Sequence, residues 1–439
     1  MAKYVVEGGI PLKGQVGVLG AKNSGFKLLI AALLSDERST ITNIANNSNV
    51  AWVTQAINSL GGEIVVENDH TRIVSGKNIS KQRLENGNSI SRASSMFIPV
   101  LLHRFGRAKV PNPSGDRIGQ RPIDMHIKGF EAMGVKVIEG DDFIEAKVED
   151  KLRGTKYRFE KNSHTGTETL ILAACLAEGN TVLENAAAEP EVDDLINFLN
   201  KMGAKISRAG ERVIQVEGVP LLIGSKHKVV PDRGEVVTFA CGALATGGDV
   251  TIALGDRVDM EAFTKKVLEA GGNVEEKNDK IRFFSTNDLM ATNIQTASHP
   301  GFLTDWQPLW ATLMTQARGL STVHETVFEN RFGFVESLKK MGAEIEFFKP
   351  KVDNPKQLYN FHWTKEAKAS PHAIKIDGPA KLQGTSLEVN DIRAGATLVL
   401  AALAAKGTTV LENIEHIERG YENLEERLES LGARIKRVG

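Results

Sequence analysis

One short pattern recurs six times: an apolar residue, a glycine, a small residue, a polar residue and a β-branched residue. The copies are Leu60-Gly61-Gly62-Glu63-Ile64, Met133-Gly134-Val135-Lys136-Val137, Met202-Gly203-Ala204-Lys205-Ile206, Ala270-Gly271-Gly272-Asn273-Val274, Met341-Gly342-Ala343-Glu344-Ile345 and Leu431-Gly432-Ala433-Arg434-Ile435. Each follows a stretch of helical character and leads into an alternating run, so each glycine is expected to end a helix just before a strand. The glycines are 73, 69, 68, 71 and 90 residues apart. That period is too long for a solenoid and suits a supersecondary unit with its own core layer.

A second pattern falls midway between the glycines, in apolar helices that end in a turn and a strand: Ala31 onward, Ala173 onward, Ala240 onward and Ala401 onward, with looser versions near Arg104 and Ala317. The unit therefore reads strand, helix, strand, helix, strand, strand. The long final gap places an irregular surface insertion at Lys349 to Pro371.

Counting back 37 to 42 residues from each glycine reaches Lys22, Arg92, Ser163, Arg233, Asp305 and Arg393, each just ahead of an apolar helix. Four of these are cations at the end of a helix that already carries positive partial charge. A polyanionic ligand removes that conflict, because exposed helix N–H groups and basic side chains together form an anion site. If three repeats close into each of two domains, the six helix starts are placed to line a cleft.

Composition narrows the partners. The 439 residues hold 54 Lys plus Arg against 55 Asp plus Glu, so no global field draws nucleic acid. No apolar run is long enough to insert in a membrane and no signal peptide is evident, so a cytoplasmic protein is expected. Cys175 and Cys241 lie in small apolar stretches and read as core. Trp306 and Trp310, four apart, read as packing residues, and His126 and His299 as structural ones. No His, Cys or carboxylate cluster has metal-ligand spacing, so a metal cofactor is not implied.

Further motifs stand beside the repeats: Gly20-Ala-Lys22-Asn23-Ser24, Arg104-Phe-Gly-Arg-Ala108, Gly115-Asp116-Arg-Ile-Gly-Gln-Arg121-Pro122-Ile123-Asp124-Met125-His126, His299-Pro-Gly-Phe-Leu-Thr-Asp305, Glu325-Thr-Val327-Phe-Glu-Asn-Arg331-Phe332, Asp391-Ile-Arg393-Ala394 and Glu418-Arg-Gly-Tyr-Glu422. In this order and spacing the set is similar, from end to end, to the UDP-N-acetylglucosamine enolpyruvyl transferases. The resemblance implies an α/β protein of two inside-out α/β barrel domains, each of three βαβαββ repeats. Residues 22–230 would form one, with a mobile loop at 111–120, and residues 1–21 plus 231–439 the other.

The resemblance also implies roles. Lys22, Arg121 and Arg393, with Arg92 nearby, would hold the phosphate and carboxylate of phosphoenolpyruvate. Asn23 and Asp305 would hold the attacking hydroxyl of UDP-N-acetylglucosamine, and Asp305 would accept its proton. Arg121, Pro122, Ile123, Asp124 and Met125 would embrace the uracil, while Lys161, Ser163, His164 and Val327 would contact the rest of the nucleotide; Arg331 is counted with the substrate-binding residues. No cofactor is implied, and a monomer is expected.

Two positions depart from the family pattern. Most members carry cysteine where Asp116 stands, and some carry aspartate. A carboxyl whose pKa rises on closure over an anionic substrate can protonate the methylene carbon in its place, which implies insensitivity to fosfomycin, an epoxide that alkylates the cysteine. Ser163-His164-Thr165-Gly166-Thr167-Glu168 stands where Ser-Val-Gly-Ala-Thr-Glu is common, and Thr165 either crowds a diphosphate or shifts the loop. Three rival readings remain: the 3-phosphoshikimate enolpyruvyl transferases, a non-catalytic nucleotide-sugar-binding paralogue, and a repeat-built clamp around nucleic acid, which the near-neutral charge and the acidic stretch Glu422 to Glu429 disfavour.

Overall fold

All six repeat glycines adopt a left-handed conformation, with φ between +81° and +100°. A side chain is strained there, which is why glycine recurs. The strands Glu63–Asn68, Lys136–Glu139, Lys205–Gly210, Asn273–Lys277, Glu344–Phe348 and Arg434–Val438 each start two residues after such a glycine. The computed structural model behind these angles describes residues 2–85, 91–114, 118–389 and 392–439, without the side chains of 392–394.

The chain forms two compact units. One is Gly20–Gly115 with Arg121–Val230; the other is Met1–Leu19, Asp116–Gln120 and Pro231–Gly439. Each unit holds three small sheets.

Five of the six sheets share one order and sense. In the first unit, Ser39–Thr42 pairs parallel with Lys226–Lys228 and antiparallel with Thr71–Ser75, which pairs antiparallel with Glu63–Asn68. The same scheme is built on Asn180–Glu184. The remaining sheet of this unit, Arg107–Pro111, Phe143–Lys147 and Lys136–Glu139, has an isolated parallel bridge from Arg83 to Lys109 in place of its fourth strand.

In the second unit the scheme recurs on Asp249–Ala253, Gly319–His324 and Thr408–Glu412. In the sheet of the sixth repeat, one strand comes from the start of the sequence: Lys3–Glu7 lies antiparallel between Thr408–Glu412 and Arg434–Val438.

Apolar helices fill the middle of each unit. Gly166 to Ala174 of the helix His164–Ala174, Arg233 to Leu244 of Arg233–Ala245 and all of Gln307–Met314 are buried. A helix buried on every side belongs to a core, whereas the strands around these alternate buried and exposed residues. Trp306 and Trp310 belong to the second core, packed edge-on against Phe263 and Phe302.

The insertion is more ordered than its composition suggests. It replaces the hairpin turn between Glu344–Phe348 and Ala373–Gly378 and contains two short helices, Pro355–Leu358 and Lys365–Ala369. Tyr359 stacks on Trp363 at 4.7 Å and on Phe361 at 4.9 Å, which gives the segment its own apolar centre. No helix among the described residues is long and apolar enough to cross a membrane.

Candidate active site

The six residues in register lie at helix starts. Lys22 opens Lys22–Ala32, Arg92 opens the 3-10 turn that leads into Phe97–Phe105, and Ser163 caps His164–Ala174 by accepting from the Gly166 N–H at 3.1 Å. Arg233 opens Arg233–Ala245, Asp305 lies two residues before Gln307–Met314, and Arg393 is the second residue of Ile392–Ala404.

In the first unit, Arg92 is largely buried and lies within reach of the charge of a second cation, Arg121. Burial, and then the nearby charge of Arg121, pull the Arg92 guanidinium down to about 9. It stays protonated at neutral pH, but an incoming anion relieves the repulsion. His126 is fully buried as well, and burial, aided by the Arg92 charge and opposed by Asp124, pushes it down to about 3. That imidazole is neutral and buried, in keeping with a structural role.

Arg121 has φ +49°, a left-handed conformation that costs a non-glycine residue about 1–2 kcal/mol. Four residues on, the Tyr157 hydroxyl donates to the Met125 carbonyl at 2.9 Å, and the Lys161 N–H to Met125 Sδ at 3.4 Å. The segments Arg121–Met125 and Lys161–His164, assigned to one nucleotide by resemblance, are thus neighbours in this unit. Burial also lowers the Lys161 ammonium.

Beneath them lie two buried polar networks. Lys27, on the same helix as Lys22 and Asn23, forms an ion pair with Glu168, and both side chains are sealed from solvent. One turn back toward the helix start, Ser24 donates to Asp194 Oδ2 at 2.5 Å, and Asp194 Oδ1 lies 2.7 Å from His227 Nε2. Lys201 donates to the other ring nitrogen at 3.2 Å. An ammonium can only donate, so Nδ1 accepts from Lys201 and the opposite nitrogen, Nε2, turns its N–H to Asp194.

In the second unit, Asp305, Val327 and Arg331 come together. Arg331 Nη2 donates to Asp305 Oδ1 at 2.7 Å, and the Arg331 guanidinium lies 5.8 Å from the Phe328 ring centre. Glu325, quoted in the motif but given no role from sequence, organises this group. Its buried carboxylate accepts from the Val327 and Phe328 N–H groups at 2.7 and 3.1 Å and from the Thr304 hydroxyl at 2.9 Å. Burial raises its pKa against these hydrogen bonds and the Arg331 charge. The insertion braces the same loop, since the Asn360 N–H donates to the Thr326 carbonyl at 2.8 Å.

Arg233 does not serve as an exposed cation: it is 3% exposed, lies 5.6 Å from the Trp306 ring centre and donates to His299 Nδ1 at 3.3 Å. Asp116 lies outside the described residues, as does the Arg393 side chain. The Asn330 N–H donates to the Ile118 carbonyl at 3.0 Å.

Comparison with known proteins agrees with this architecture. The family model described as EPSP synthase (3-phosphoshikimate 1-carboxyvinyltransferase) matches residues 6–428. Curated proteins named UDP-N-acetylglucosamine 1-carboxyvinyltransferase from Trichlorobacter lovleyi and Solibacter usitatus are each 38% identical; the alignments cover 100% of this chain and 99% and 100% of theirs.

Among solved structures, the enolpyruvyl transferase NikO from Streptomyces tendae superposes with a TM-score of 0.85 at 24% identity, covering 100% of this chain and 99% of its own. EPSP synthase from Acinetobacter baumannii superposes with a TM-score of 0.71 at 17% identity, covering 100% of both chains. These two share the fold. By the full-length matches in sequence, the chain belongs to the EPSP synthase family and, within it, to the UDP-N-acetylglucosamine 1-carboxyvinyltransferases.

Proposed function

We propose that this chain transfers the enolpyruvyl group of phosphoenolpyruvate to the 3-hydroxyl of UDP-N-acetylglucosamine and releases phosphate, the first committed step of peptidoglycan precursor synthesis. The observation that carries the reading is the relation over the full length to proteins of that name, joined by two cations, Arg92 and Arg121, near enough for the charge of one to act on the other. An enol phosphate bearing a carboxylate is a small polyanion, and Lys22, Arg92, Arg121 and Arg393 supply charge for it.

The chemistry is addition followed by elimination. Asp305, oriented by Arg331, takes the proton of the attacking hydroxyl, held also by Asn23. The hydroxyl oxygen bonds to the carbon that bears the phosphate, Asp116 gives a proton to the methylene carbon, and a tetrahedral ketal forms. Loss of a proton from that former methylene carbon then expels phosphate and restores the double bond. Lys161, Ser163, His164, Val327 and the segment Arg121–Met125 hold the nucleotide sugar. We place the enzyme in the cytoplasm as a monomer.

Phosphate release is expected only when phosphoenolpyruvate and UDP-N-acetylglucosamine are both present. Release with shikimate 3-phosphate instead would favour the other branch of the family, and nucleotide-sugar binding without release would favour a non-catalytic paralogue.

Resistance to thiol-directed epoxides follows from the cysteines. The chain has two, both completely buried. Burial pushes the Cys175 thiol up to about 12 and raises the Cys241 thiol as well. Neither offers thiolate at neutral pH. After incubation with fosfomycin, intact-protein mass is expected to be unchanged and turnover retained; a stoichiometric adduct would contradict this.

A further inference from the structure

His164 begins the helix His164–Ala174 where the resemblance leads one to expect valine, and its ring meets two buried charges. The same nitrogen, Nε2, lies 3.3 Å from Lys27 Nζ and 3.2 Å from Glu168 Oε1. An ammonium can only donate and a carboxylate can only accept, so Nε2 cannot serve both at once. Without a proton it accepts from Lys27. With one it turns its N–H to Glu168 Oε1, a buried oxygen that otherwise has no hydrogen bond.

In the two states that titration links, the neutral ring that accepts from Lys27 and the imidazolium that donates to Glu168, the other nitrogen, Nδ1, carries a proton, and no described residue accepts it. The ring is 25% exposed, whereas Lys27 and Glu168 are 3% and 0% exposed. Nδ1–H therefore remains available to a ligand at the helix start, beside the Ser163 cap. The two arrangements differ by a full positive charge at that start, where the helix dipole already favours anions.

Local charge favours the protonated ring. Two carboxylates, Glu168 and the 9% exposed Glu189, stand against the one Lys27 ammonium. Burial disfavours the imidazolium, but the Glu168 charge and hydrogen bond, helped by Glu189, outweigh burial and Lys27 and raise its pKa.

The other ionisable groups on packed elements are otherwise engaged or differ in kind. On Pro190–Lys201, Asp194 is held by Ser24 and His227, Asp193 pairs with Arg208, and Glu191 is buried. Arg92 keeps its charge, and His126 and His103 are neutral, at about 3 and about 4. Asp124 lies 3.6 Å from Lys128. Glu184 and Glu217 on the neighbouring strands pair with Lys156 and Lys205.

We propose that His164 makes acceptor affinity depend on pH: its protonated ring, backed by Glu168, adds a positive charge that tightens binding of the nucleotide diphosphate. This rests on the reading of Lys161–His164 as part of the nucleotide site. It departs from a valine at this position, which offers neither charge nor donor.

Calorimetric titration of UDP-N-acetylglucosamine into the full chain tests it, without donor, between about pH 6 and about pH 8.5. Kd is expected to weaken by about three- to tenfold as pH rises. His164→Gln, checked for an unchanged melting point, should flatten the dependence to less than about twofold. Titration of the unaltered protein in two buffers of different ionisation heat gives a second reading, with proton uptake on binding near the ring's midpoint. Binding that is independent of pH, absence of proton uptake, or the same dependence in His164→Gln would overturn the role of His164 while leaving the nucleotide site intact. Failure of the unaltered protein to bind the nucleotide sugar at any pH would overturn the site assignment itself.

Discussion

Asp305→Ala is expected to lower kcat by about a thousandfold, within the range lost when a positioned general base is removed, while Kd for UDP-N-acetylglucosamine changes by less than about threefold. The carboxylate accepts from Arg331 at 2.7 Å, and the buried Arg331 is steadied beside Phe328. Glu325 fixes the Val327–Phe328 backbone and Thr304 and its charge still acts on Arg331, so the loop should keep its shape, although Arg331 loses a partner and Asp305→Ala should cost stability that Asp305→Asn largely spares. Asp305→Asn separates shape from basicity. The amide still accepts from Arg331 but cannot take a proton from the sugar hydroxyl, so its kcat should fall nearly as far. Retention of more than about a tenth of turnover in Asp305→Asn would show that Asp305 positions the acceptor and another group takes the proton.

Glu168→Gln is expected to destabilise the unit Gly20–Val230 by about 3–5 kcal/mol, the cost of leaving a buried charge without its partner. Lys27 is 2% exposed and Glu168 is fully buried, so water cannot replace the lost carboxylate. For a unit of this size the melting transition should fall by on the order of 10 °C. Lys27→Met combined with Glu168→Gln should lose less than the two single changes added together, because neither variant group then carries an uncompensated charge. Additive losses in differential scanning calorimetry would show that the pair is only packing volume.

Much of this architecture is legible in the sequence because backbone geometry requires particular residue types. The six glycines mark positions with φ near +90°, and from them the phase of every repeat and the six helix starts can be counted. Register does not reveal where a side chain goes once its helix packs. Arg233 shares the register of Lys22 and Arg92, yet Trp306 and His299 draw it inward.

Long-range polar partners were equally hidden. Lys27 and Glu168 are 141 positions apart, and nothing in either local stretch names the other. Glu325 sits in a motif that draws attention to Val327 and Arg331, while its own work is to accept backbone N–H groups. The insertion reads as polar and irregular because its aromatic residues, Tyr359, Phe361 and Trp363, follow neither helical nor simple core spacing; they stack on one another.

The most direct test of enolpyruvyl transfer is the mass of the nucleotide-sugar product made in deuterated water with excess phosphoenolpyruvate. Addition and elimination through a ketal should yield UDP-N-acetylglucosamine enlarged by one enolpyruvyl group, with deuterium in its methylene. Unchanged nucleotide sugar, or an enlarged product with no deuterium, would contradict the account.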